Sequence, residues 1–334
     1  LDDGVGRAIQ RTPGSDGYGD ILRAGTGNAS REKGILVLCH IDTVHPIGVK
    51  DGELKIRREG DEVYGPGIYD MKAGAYLPYY AYRHLQRLGR KTSLPVTFLY
   101  VSEEEVGSPM SQEFIEEEAR KAKSVLVTEP ARDGGKVVVA RKGVGRFTMT
   151  ITGRPAHAGA KHEDGRSAIS ELANQIKAID ALVDLERGVT TNVGIISGGT
   201  AVNVVARDVV AEIDLRVLTK EDGEELTAKI LGLKAQNPDV TVEVTGGMNR
   251  PPFEASDASM KLFEHAKACA AEVGLALEAT TTTGGGSDGN FTAALGVPTL
   301  DGLGADGEGA HTLEEKIYFS SLEPRAKMWV RLLE

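Results

Sequence analysis

Short apolar runs alternate with helical segments at both ends of this chain, and this alternation constrains its fold more than any other sequence feature. Residues 34–39 and 124–128 are continuous apolar runs, as in strands buried on both faces, and residues 94–101 also read as a strand. Helices are predicted at residues 72–88 and 111–122. Because strands that alternate with helices form a largely parallel sheet covered by helices, we expect an α/β layer structure.

A different pattern begins near residue 136 and ends near residue 253. Strands are predicted there at residues 136–140, 145–152, 191–196, 201–205, 209–217 and 240–244, with helices at 165–184 and 220–234. This segregated order indicates an α+β domain with one antiparallel sheet and two helices on one face. Residues 250–253 read as a linker. The α/β pattern then resumes, with helices at 256–273, 287–295 and from 321, and strands at 276–279 and 297–300.

The expected architecture is therefore a discontinuous catalytic domain interrupted by a smaller one. We assign residues 1–141 and 254–334 to a mostly parallel-sheet catalytic domain. Residues 142–253 form an inserted α+β domain of ferredoxin-like type.

Composition limits the classes of partner. The 334 residues carry a net charge of −10, which argues against nucleic acid and anionic membranes. No run approaches the roughly 18 apolar residues of a membrane span. The two cysteines exclude a disulfide framework and fit a reducing compartment. We expect a cytoplasmic protein, although a chain that starts at Leu1 suggests a processed or truncated N-terminus and leaves a periplasmic or secreted location open.

Three adjacent carboxylates, Glu103, Glu104 and Glu105, follow the strand predicted at residues 94–101. The carboxyl ends of strands are where α/β sheets place ligand sites. Two neighbouring carboxylates can divide the work there, because one can bind a metal while the other moves a proton. The run alone is equally compatible with a solvated acidic loop.

Other candidate ligands also follow strands or close loops. His40 comes after the first buried strand, and Asp42 can hold its second ring nitrogen. Asp70 follows a glycine-proline turn at the start of a helix, Glu129 follows a strand, and His311 closes a Gly-rich loop. Taken singly, these residues are explained as well by a polar loop, a helix N-cap, a surface turn and a loop histidine.

The recurrence of these residue types at successive strand ends favours a metal site over the separate explanations. A parallel sheet gathers such positions along one edge. Two histidines with several carboxylates suit zinc or another borderline divalent ion. Because five or more ligands exceed one tetrahedral site, two metals that share a bridging carboxylate are expected.

The motifs resemble those of the co-catalytic dinuclear zinc hydrolases, a family that includes folate-type glutamate carboxypeptidase, acetylornithine deacetylase and succinyl-diaminopimelate desuccinylase. The resemblance spans nearly the whole chain, in order. It rests on His40-x-Asp42-Thr43-Val44, Gly65-Pro66-Gly67-x-x-Asp70-Met71-Lys72, Glu104-Glu105-x-Gly107-Ser108, Glu129-Pro130, Gly284-Gly-Gly-Ser-Asp288 and His311-Thr312.

The resemblance implies a ligand set for two zinc ions, with cobalt or manganese as substitutes. One ion would take His40 and Glu129, and the other Glu105 and His311. Asp70 would bridge both ions.

The resemblance also assigns roles around these ligands. Counting back from Gly107 makes Glu104 the general base, which activates a zinc-bridged hydroxide, and leaves Glu103 as an acidic predecessor that we expect to be the most replaceable of the three. Asp42 would orient His40. The peptide bond between Asp70 and Met71 is expected to be cis.

In the inserted domain, His157 matches a family histidine that enters the partner subunit's active site and steadies the oxyanion. The resemblance therefore implies a homodimer formed through this lid and dimerisation domain. A structural histidine in a turn is the alternative explanation.

Four polar residues, Lys136, Asn203, Arg216 and Arg250, match substrate contacts of the folate-type relatives. Asn203 and Arg216 suit an α-carboxylate, because a guanidinium fork and an amide can both bind it. Lys136 and Arg250 would favour an acidic side chain, unless both are ordinary surface charges. Gly285 lies in a loop whose backbone N–H groups can face a carboxylate.

These residues together predict a metal-dependent carboxypeptidase that releases a C-terminal, acidic amino acid such as glutamate from an N-acyl or peptidyl substrate. One alternative is an N-acyl-amino-acid deacylase of the acetylornithine or succinyl-diaminopimelate type. Another is a metal-binding homologue without catalysis, against which the retained Glu104 argues. The sequence leaves open the leaving amino acid, the acyl group and the physiological metal.

Overall fold

The computed structural model describes residues 9–26, 33–280 and 282–334 of the chain. They fall into two compact units. The first ends at Arg141 and resumes at Phe253, and the second is Lys142–Pro252. The predicted fold class is confirmed, since a mostly parallel sheet accompanies two separate antiparallel sheets.

The first part of the chain contains seven strands and two helices among its described residues. They are β1 Gln10–Thr12, β2 Ile21–Gly25, β3 Gly34–His40, β4 Arg57–Glu59, β5 Glu62–Tyr64, α1 Ala73–Arg87, β6 Val96–Val101, α2 Gln112–Lys121 and β7 Ala122–Val127. The second unit contains β8 Gly143–Thr152, α3 Ala168–Asp180, β9 Thr190–Gly198, β10 Asp208–Val217, α4 Lys220–Leu231 and β11 Thr241–Arg250. The first unit then resumes with α5 Asp257–Ala271, α6 Gly289–Ala294, β12 Thr299–Leu300, β13 Gly307–Glu308, β14 Lys316–Tyr318 and α7 Leu322–Leu333.

The main sheet of the first unit has the strand order β1-β2-β6-β3-β7-β12. Strands β6, β3, β7 and β12 run parallel, while β1 and β2 add an antiparallel edge. Val37 and Cys39 of β3 pack in the core formed with α1, α5 and α7. Leu36 and Leu38 pack in the core formed with α2 and α6. The apolar run of β3 is continuous because its side chains pack into a core on each face of the sheet.

The parallel pairing sets the position of the candidate site. His40, the last residue of β3, lies opposite Val101, the last residue of β6. Leu38 lies opposite Val127, the last residue of β7. The segments that leave these three strands therefore start from one edge of the sheet.

The sheet of the second unit is antiparallel, with the order β11-β8-β10-β9. Strand β10 alternates strictly, because Val209, Ala211 and Ile213 are buried while Val210 and Glu212 are exposed. The buried residues share a core with α3 and α4. One face of the sheet thus carries two helices and the other faces solvent.

Three predicted strands are wrong. Residues 136–140, 201–205 and 276–279 make only isolated bridges, such as Val137 with Ala279 and Val204 with His157. Residues 250–253 are not a simple linker either. Arg250 ends β11, and Phe253 is buried at 1% exposure and pairs with Arg141.

A small antiparallel sheet, β13-β14-β5-β4, was not predicted, nor were β1 and β2. Each of these strands is too short to show a periodic pattern. Within the described part of the chain, no helix is long and apolar enough to cross a membrane.

Candidate metal centre and active site

His40 lies at the end of the central strand with its imidazole almost fully buried among carboxylates. Its Nε2 is 3.1 Å from Asp70 Oδ1 and 3.6 Å from Glu129 Oε1. Its Nδ1 is 3.4 Å from Asp42 Oδ1, and neither of these two atoms has a hydrogen-bond partner among the described residues. Asp42 also accepts a hydrogen bond from the Glu105 N–H at 3.0 Å.

The second carboxylate oxygen of Asp70 faces a different histidine. His311 Nε2 is 3.4 Å from Asp70 Oδ2 and 3.2 Å from Glu105 Oε2. Asp70 therefore stands between two groups of donors, His40 with Glu129 on one side and His311 with Glu105 on the other.

Glu104 also belongs to this cluster. Ligand atoms of His40, Glu104 and Glu129 lie within 4.8 Å of one another, and so do those of His40, Asp70 and Glu105. The structure thus brings together the six residues expected at the strand ends and in the loop that carries His311.

Asp70 is held in place by its backbone. The Asp70–Met71 peptide bond is cis, which confirms the expectation from the family motif. The buried Glu315 carboxylate accepts N–H groups of Gly67, Tyr69 and Asp70 at 2.8, 2.9 and 3.0 Å. Glu315 therefore fixes the turn that presents the Asp70 side chain.

Glu103 was expected to be the most replaceable of the three adjacent glutamates, but its buried contacts contradict that expectation. It is only 1% exposed and accepts the N–H groups of Ser111 at 2.6 Å, Met110 at 3.3 Å and Ser102 at 3.2 Å. Gly107 closes the same loop at φ +102°, a conformation that side chains rarely adopt. The loop that carries Glu104 and Glu105 is therefore held by its own first carboxylate.

The electrostatics of the cluster are dominated by negative charge. Burial alone would lower the pKa of His40, but the carboxylates of Asp42 and Asp70 raise it well above its usual value. Hydrogen bonds with Asp70 and Glu105 raise the pKa of His311 to about 10. Burial and the charge of Asp70 raise the pKa of Glu129 well above its usual value. The crowded carboxylates thus favour the protonated forms of His40, His311 and Glu129.

This donor set fits two divalent cations. Each side of Asp70 offers one imidazole and one further carboxylate, the mixture of nitrogen and oxygen ligands that borderline ions prefer. Glu105 Oε1 is buried without a hydrogen-bond partner among the described residues, so it has a coordination position to offer. Cations bound at these atoms would displace the protons.

A buried network beside the cluster was missed by sequence reasoning. Arg141 is 1% exposed, and its Nε donates to Asp301 Oδ2 at 2.7 Å. Its Nη1 donates to the carbonyl of Gly285 at 3.1 Å, while Ser287 Oγ donates to Asp301 at 2.7 Å. The Gly-rich loop with Gly285 is therefore anchored to Asp301, the residue that follows β12. No local pattern marks Arg141 or Glu315, because their partners are distant in sequence.

The remaining predicted residue of the first unit, Lys136, lies apart from these contacts. It sits in a tight turn that pairs back to Arg132, and its Nζ is 3.6 Å from Glu278 Oε2 at the surface. The ion pair agrees with the surface-charge explanation considered for this residue.

In the second unit, His157 and Asn203 lie on adjoining loops. The Ala158 N–H donates to the Asn203 carbonyl at 2.9 Å. His157 Nδ1 accepts the N–H groups of Gly159 and Ala160 at 3.2 and 3.1 Å. Since Nδ1 is an acceptor, a neutral His157 carries its proton on Nε2 and can donate from there.

Arg216 and Arg250 also belong to the second unit. Arg216 Nε donates to Asp214 Oδ1 at 2.8 Å, so part of its guanidinium is held by its own strand. Arg250 is 3% exposed and its Nη1 donates to Asn249 Oδ1 at 3.1 Å. Both cations are therefore positioned by neighbouring polar side chains.

Comparison with known proteins places this geometry in context. Residues 36–334 match the model of peptidase family M20/M25/M40. Carboxypeptidase G2 of Pseudomonas sp. (strain RS-16) is 32% identical over 306 residues, which are 90% of this chain and 73% of that protein.

Two further likenesses were found. A probable carboxypeptidase of Trichophyton verrucosum (strain HKI 0517) is 30% identical over 244 residues, 66% of this chain and 52% of that protein. The chain thus spans about half the length of this fungal relative. The structure of aminopeptidase PepT from Bacillus cereus ATCC 10987 superposes with a TM-score of 0.75 at 26% identity, covering 97% of this chain and 88% of that one.

Proposed function

Since this chain belongs to peptidase family M20/M25/M40, it is a metallopeptidase that hydrolyses amide bonds, and we propose that it releases a C-terminal, acidic amino acid from an N-acyl or peptidyl substrate. Glutamate is the leaving amino acid that we favour. The similarity to Carboxypeptidase G2 supports removal of a C-terminal residue.

The observation that carries the proposal is the position of Asp70 between two histidines. Oδ1 lies against His40 and Oδ2 against His311, so one carboxylate can serve two ions. Glu129 would complete one ion's set and Glu105 the other's. We propose zinc for both, with cobalt or manganese as working substitutes.

Bound there, the two ions would supply an acidified water as nucleophile and would polarise the scissile carbonyl. Glu104 would accept the proton of the attacking water and deliver it to the leaving nitrogen. Asp42 would keep His40 oriented through Nδ1, the partner that ligating histidines usually have.

The cations of the second unit suit a substrate with two carboxylates. Arg216 and Asn203 would bind the α-carboxylate, and Arg250 the side-chain carboxylate, because charge-assisted bonds from a guanidinium are strong and directional. Lys136 would add positive charge once released from Glu278. Gly285 would offer its backbone N–H.

We further propose that the second unit is a lid and dimerisation domain. Its sheet ends in the exposed edge strand β9, on which Ile195 and Ile196 are 65% and 53% exposed. An exposed apolar edge strand is a template on which a strand of another chain can pair. In such a homodimer His157 would donate from Nε2 to the oxyanion in the partner's site. A stable, fully active monomer in sedimentation would contradict this.

The test combines metal analysis with hydrolysis of acyl-glutamates, acyl-aspartates and acetyl-ornithine. We expect two metal ions per chain, release of glutamate from the acyl-glutamates, loss of activity with chelator and recovery with added zinc. Faster hydrolysis of acetyl-ornithine than of any acyl-glutamate would overturn the acidic leaving group.

Glu104→Gln tests the proton carrier. Because the amide cannot take a proton, kcat should fall at least about 1,000-fold while two ions stay bound. Glu113→Gln, on the exposed face of α2, is the matched control and should keep its activity. Substantial turnover by the Glu104 variant would exclude Glu104 as the base.

A further inference from the structure

The first unit contains a cavity of about 490 Å³ that none of the roles above explains. It is lined by the loop that follows Asp42, from Thr43 to Lys50, and by Ile56. The segment that leads into Asp70 forms the other wall, with Gly65, Pro66 and Ile68. The volume lies in the range of small-molecule sites.

Aliphatic side chains form most of the cavity wall, which is partly open to solvent. Pro46, Ile47, Val49, Ile56 and Ile68 all line it. His45, Lys50 and Lys72 also line it; His45 contacts Glu315, and Lys72 Nζ donates to the Pro66 carbonyl at 3.2 Å. Ile47 is fully exposed and Ile56 is 70% exposed. Large apolar side chains that stay exposed around a concavity commonly mark a binding site.

The loop that forms one wall is fixed before any ligand arrives. Val49 is buried with Leu54 and Tyr64 in a small core of its own. Gly48 turns the chain at φ +89°, and the Val49 carbonyl accepts the Leu54 N–H at 3.1 Å. The cavity is therefore pre-formed, which lowers the entropic cost of binding.

The same carboxylate holds this wall and the metal-binding turn. Glu315 Oε2 contacts His45 Nε2 at 2.8 Å and accepts the Gly67 N–H at 2.8 Å. Its Oε1 accepts the Asp70 N–H at 3.0 Å. One buried carboxylate therefore supports both a wall of the cavity and the turn that presents Asp70, and the cavity residues Thr43, Ile68 and Lys72 lie within two positions of Asp42 or Asp70 in the sequence.

We propose that this cavity binds the acyl side of the scissile amide and that it selects uncharged, aliphatic acyl groups. The proposal rests on the proposed function and adds the second half of the substrate. The charged half of the substrate is assigned to cations, whereas most of the cavity wall offers methyl and methylene groups.

The experiment compares N-acyl-L-glutamates that differ only in the acyl group, using the metal-loaded full chain. The probes are N-acetyl, N-hexanoyl and N-adipoyl glutamate, the last carrying a terminal carboxylate. Burying most of the longer chain should raise kcat/KM for hexanoyl over acetyl by about 100-fold. We expect a lower kcat/KM for the adipoyl compound than for the hexanoyl compound, because its terminal carboxylate would have to be desolvated in the cavity.

Three variants locate the effect. Ile47→Ser and Ile56→Ser should each reduce the hexanoyl-to-acetyl ratio about 5-fold. Gly65→Leu should reduce it further by filling the cavity, since a Cβ at Gly65 would meet only Ile56 and Ile68, at 3.4 and 3.8 Å. Leu88→Ser removes a comparably exposed residue outside the cavity and should leave the ratio unchanged. The acetyl compound and the melting temperature report whether each variant is folded.

The outcomes separate the two proposals. If glutamate is released but kcat/KM is the same for the hexanoyl and acetyl compounds, the cavity does not bind the acyl group and the proposed function still stands. The same conclusion follows if the three variants leave the ratio of these kcat/KM values unchanged. A higher kcat/KM for the adipoyl compound than for the hexanoyl compound would disprove selection for uncharged, aliphatic acyl groups. If no acyl-glutamate is cleaved, the proposed function fails, and the same acyl series on ornithine then tests the cavity.

Discussion

At the residue scale, buried carboxylates that accept backbone N–H groups hold the site together. Glu103 fixes the loop of Glu104 and Glu105, and Glu315 fixes the turn of Asp70. The sequence could predict candidate ligands because they follow recognisable strand ends. It could not reveal the structural role of Glu103, since no pattern records which carboxylate faces the backbone.

Glu103→Gln should lower the free energy of unfolding by about 3 kcal/mol, because the amide loses the charge that three N–H groups share and turns its own donors towards some of them. Urea denaturation measures the loss. Glu113→Gln, which changes an exposed residue of the neighbouring helix, should stay within about 0.5 kcal/mol. Equal stability of the two variants would restore the original view of Glu103 as replaceable.

Glu315→Gln should weaken metal binding by about 10- to 100-fold, the usual effect of losing a group that orients a ligand. Competition with a fluorescent chelator gives the dissociation constants. The adjacent Glu314 is exposed, so Glu314→Gln controls for the change of net charge. Unchanged affinity in the Glu315 variant would mean that the Asp70 turn needs no anchor.

At the element scale, prediction succeeded where burial imposes a period. The continuous run of β3 and the alternation of β10 reflect burial on two faces and on one face. It failed for residues 136–140 and 201–205, which look like strands but pair at single bridges. Apolar content alone cannot show whether a neighbouring strand is available, because that neighbour is brought by the tertiary fold.

Helix α3 carries a buried carboxylate with a predictable pH response. Glu171 accepts the N–H groups of Gln236 and Asn237 at 2.9 and 3.1 Å. Burial would raise the pKa of Glu171, but these hydrogen bonds and that of Gln175 lower it below its usual value. Its contribution to stability is therefore complete above the unfolded pKa of about 4.3 and is lost as the pH falls through the lower folded pKa.

The difference in unfolding free energy between the native chain and Glu171→Gln should shrink as the pH falls from about 6 to 3. Denaturant titrations at several pH values provide the comparison. Glu186→Gln, an exposed change in the same unit, should show no such trend. If this difference in unfolding free energy stays constant across the pH range, ionisation of Glu171 does not contribute to stability.

At the scale of the whole molecule, the residues proposed as metal ligands all belong to the first unit. The second unit has a separate core and none of these ligands. A ligand that binds only the folded state stabilises that state, so metal should stabilise one unit and leave the other unchanged. The abrupt change in strand and helix order is what predicts an interrupted domain from the sequence, whereas the short strands carry no such pattern and were not predicted.

Calorimetry of the full chain should accordingly show two transitions, of which chelator lowers only one. Ile213→Ala removes buried volume from the second unit and should lower the other transition, at a cost of about 2–5 kcal/mol. Val210→Ala on the exposed face of the same strand is its control. A single transition that chelator shifts as a whole would show that the units unfold together.

The interrupted course of the first unit also bears on synthesis. Translation delivers residues in order, at about 5–20 per second, and segments fold as they emerge. His40, Asp70, Glu105 and Glu129 leave the ribosome before the second unit, and His311 leaves after it. The second unit, being one continuous segment, can close its core first. A nascent chain therefore lacks the complete set of proposed ligands until His311 has been added.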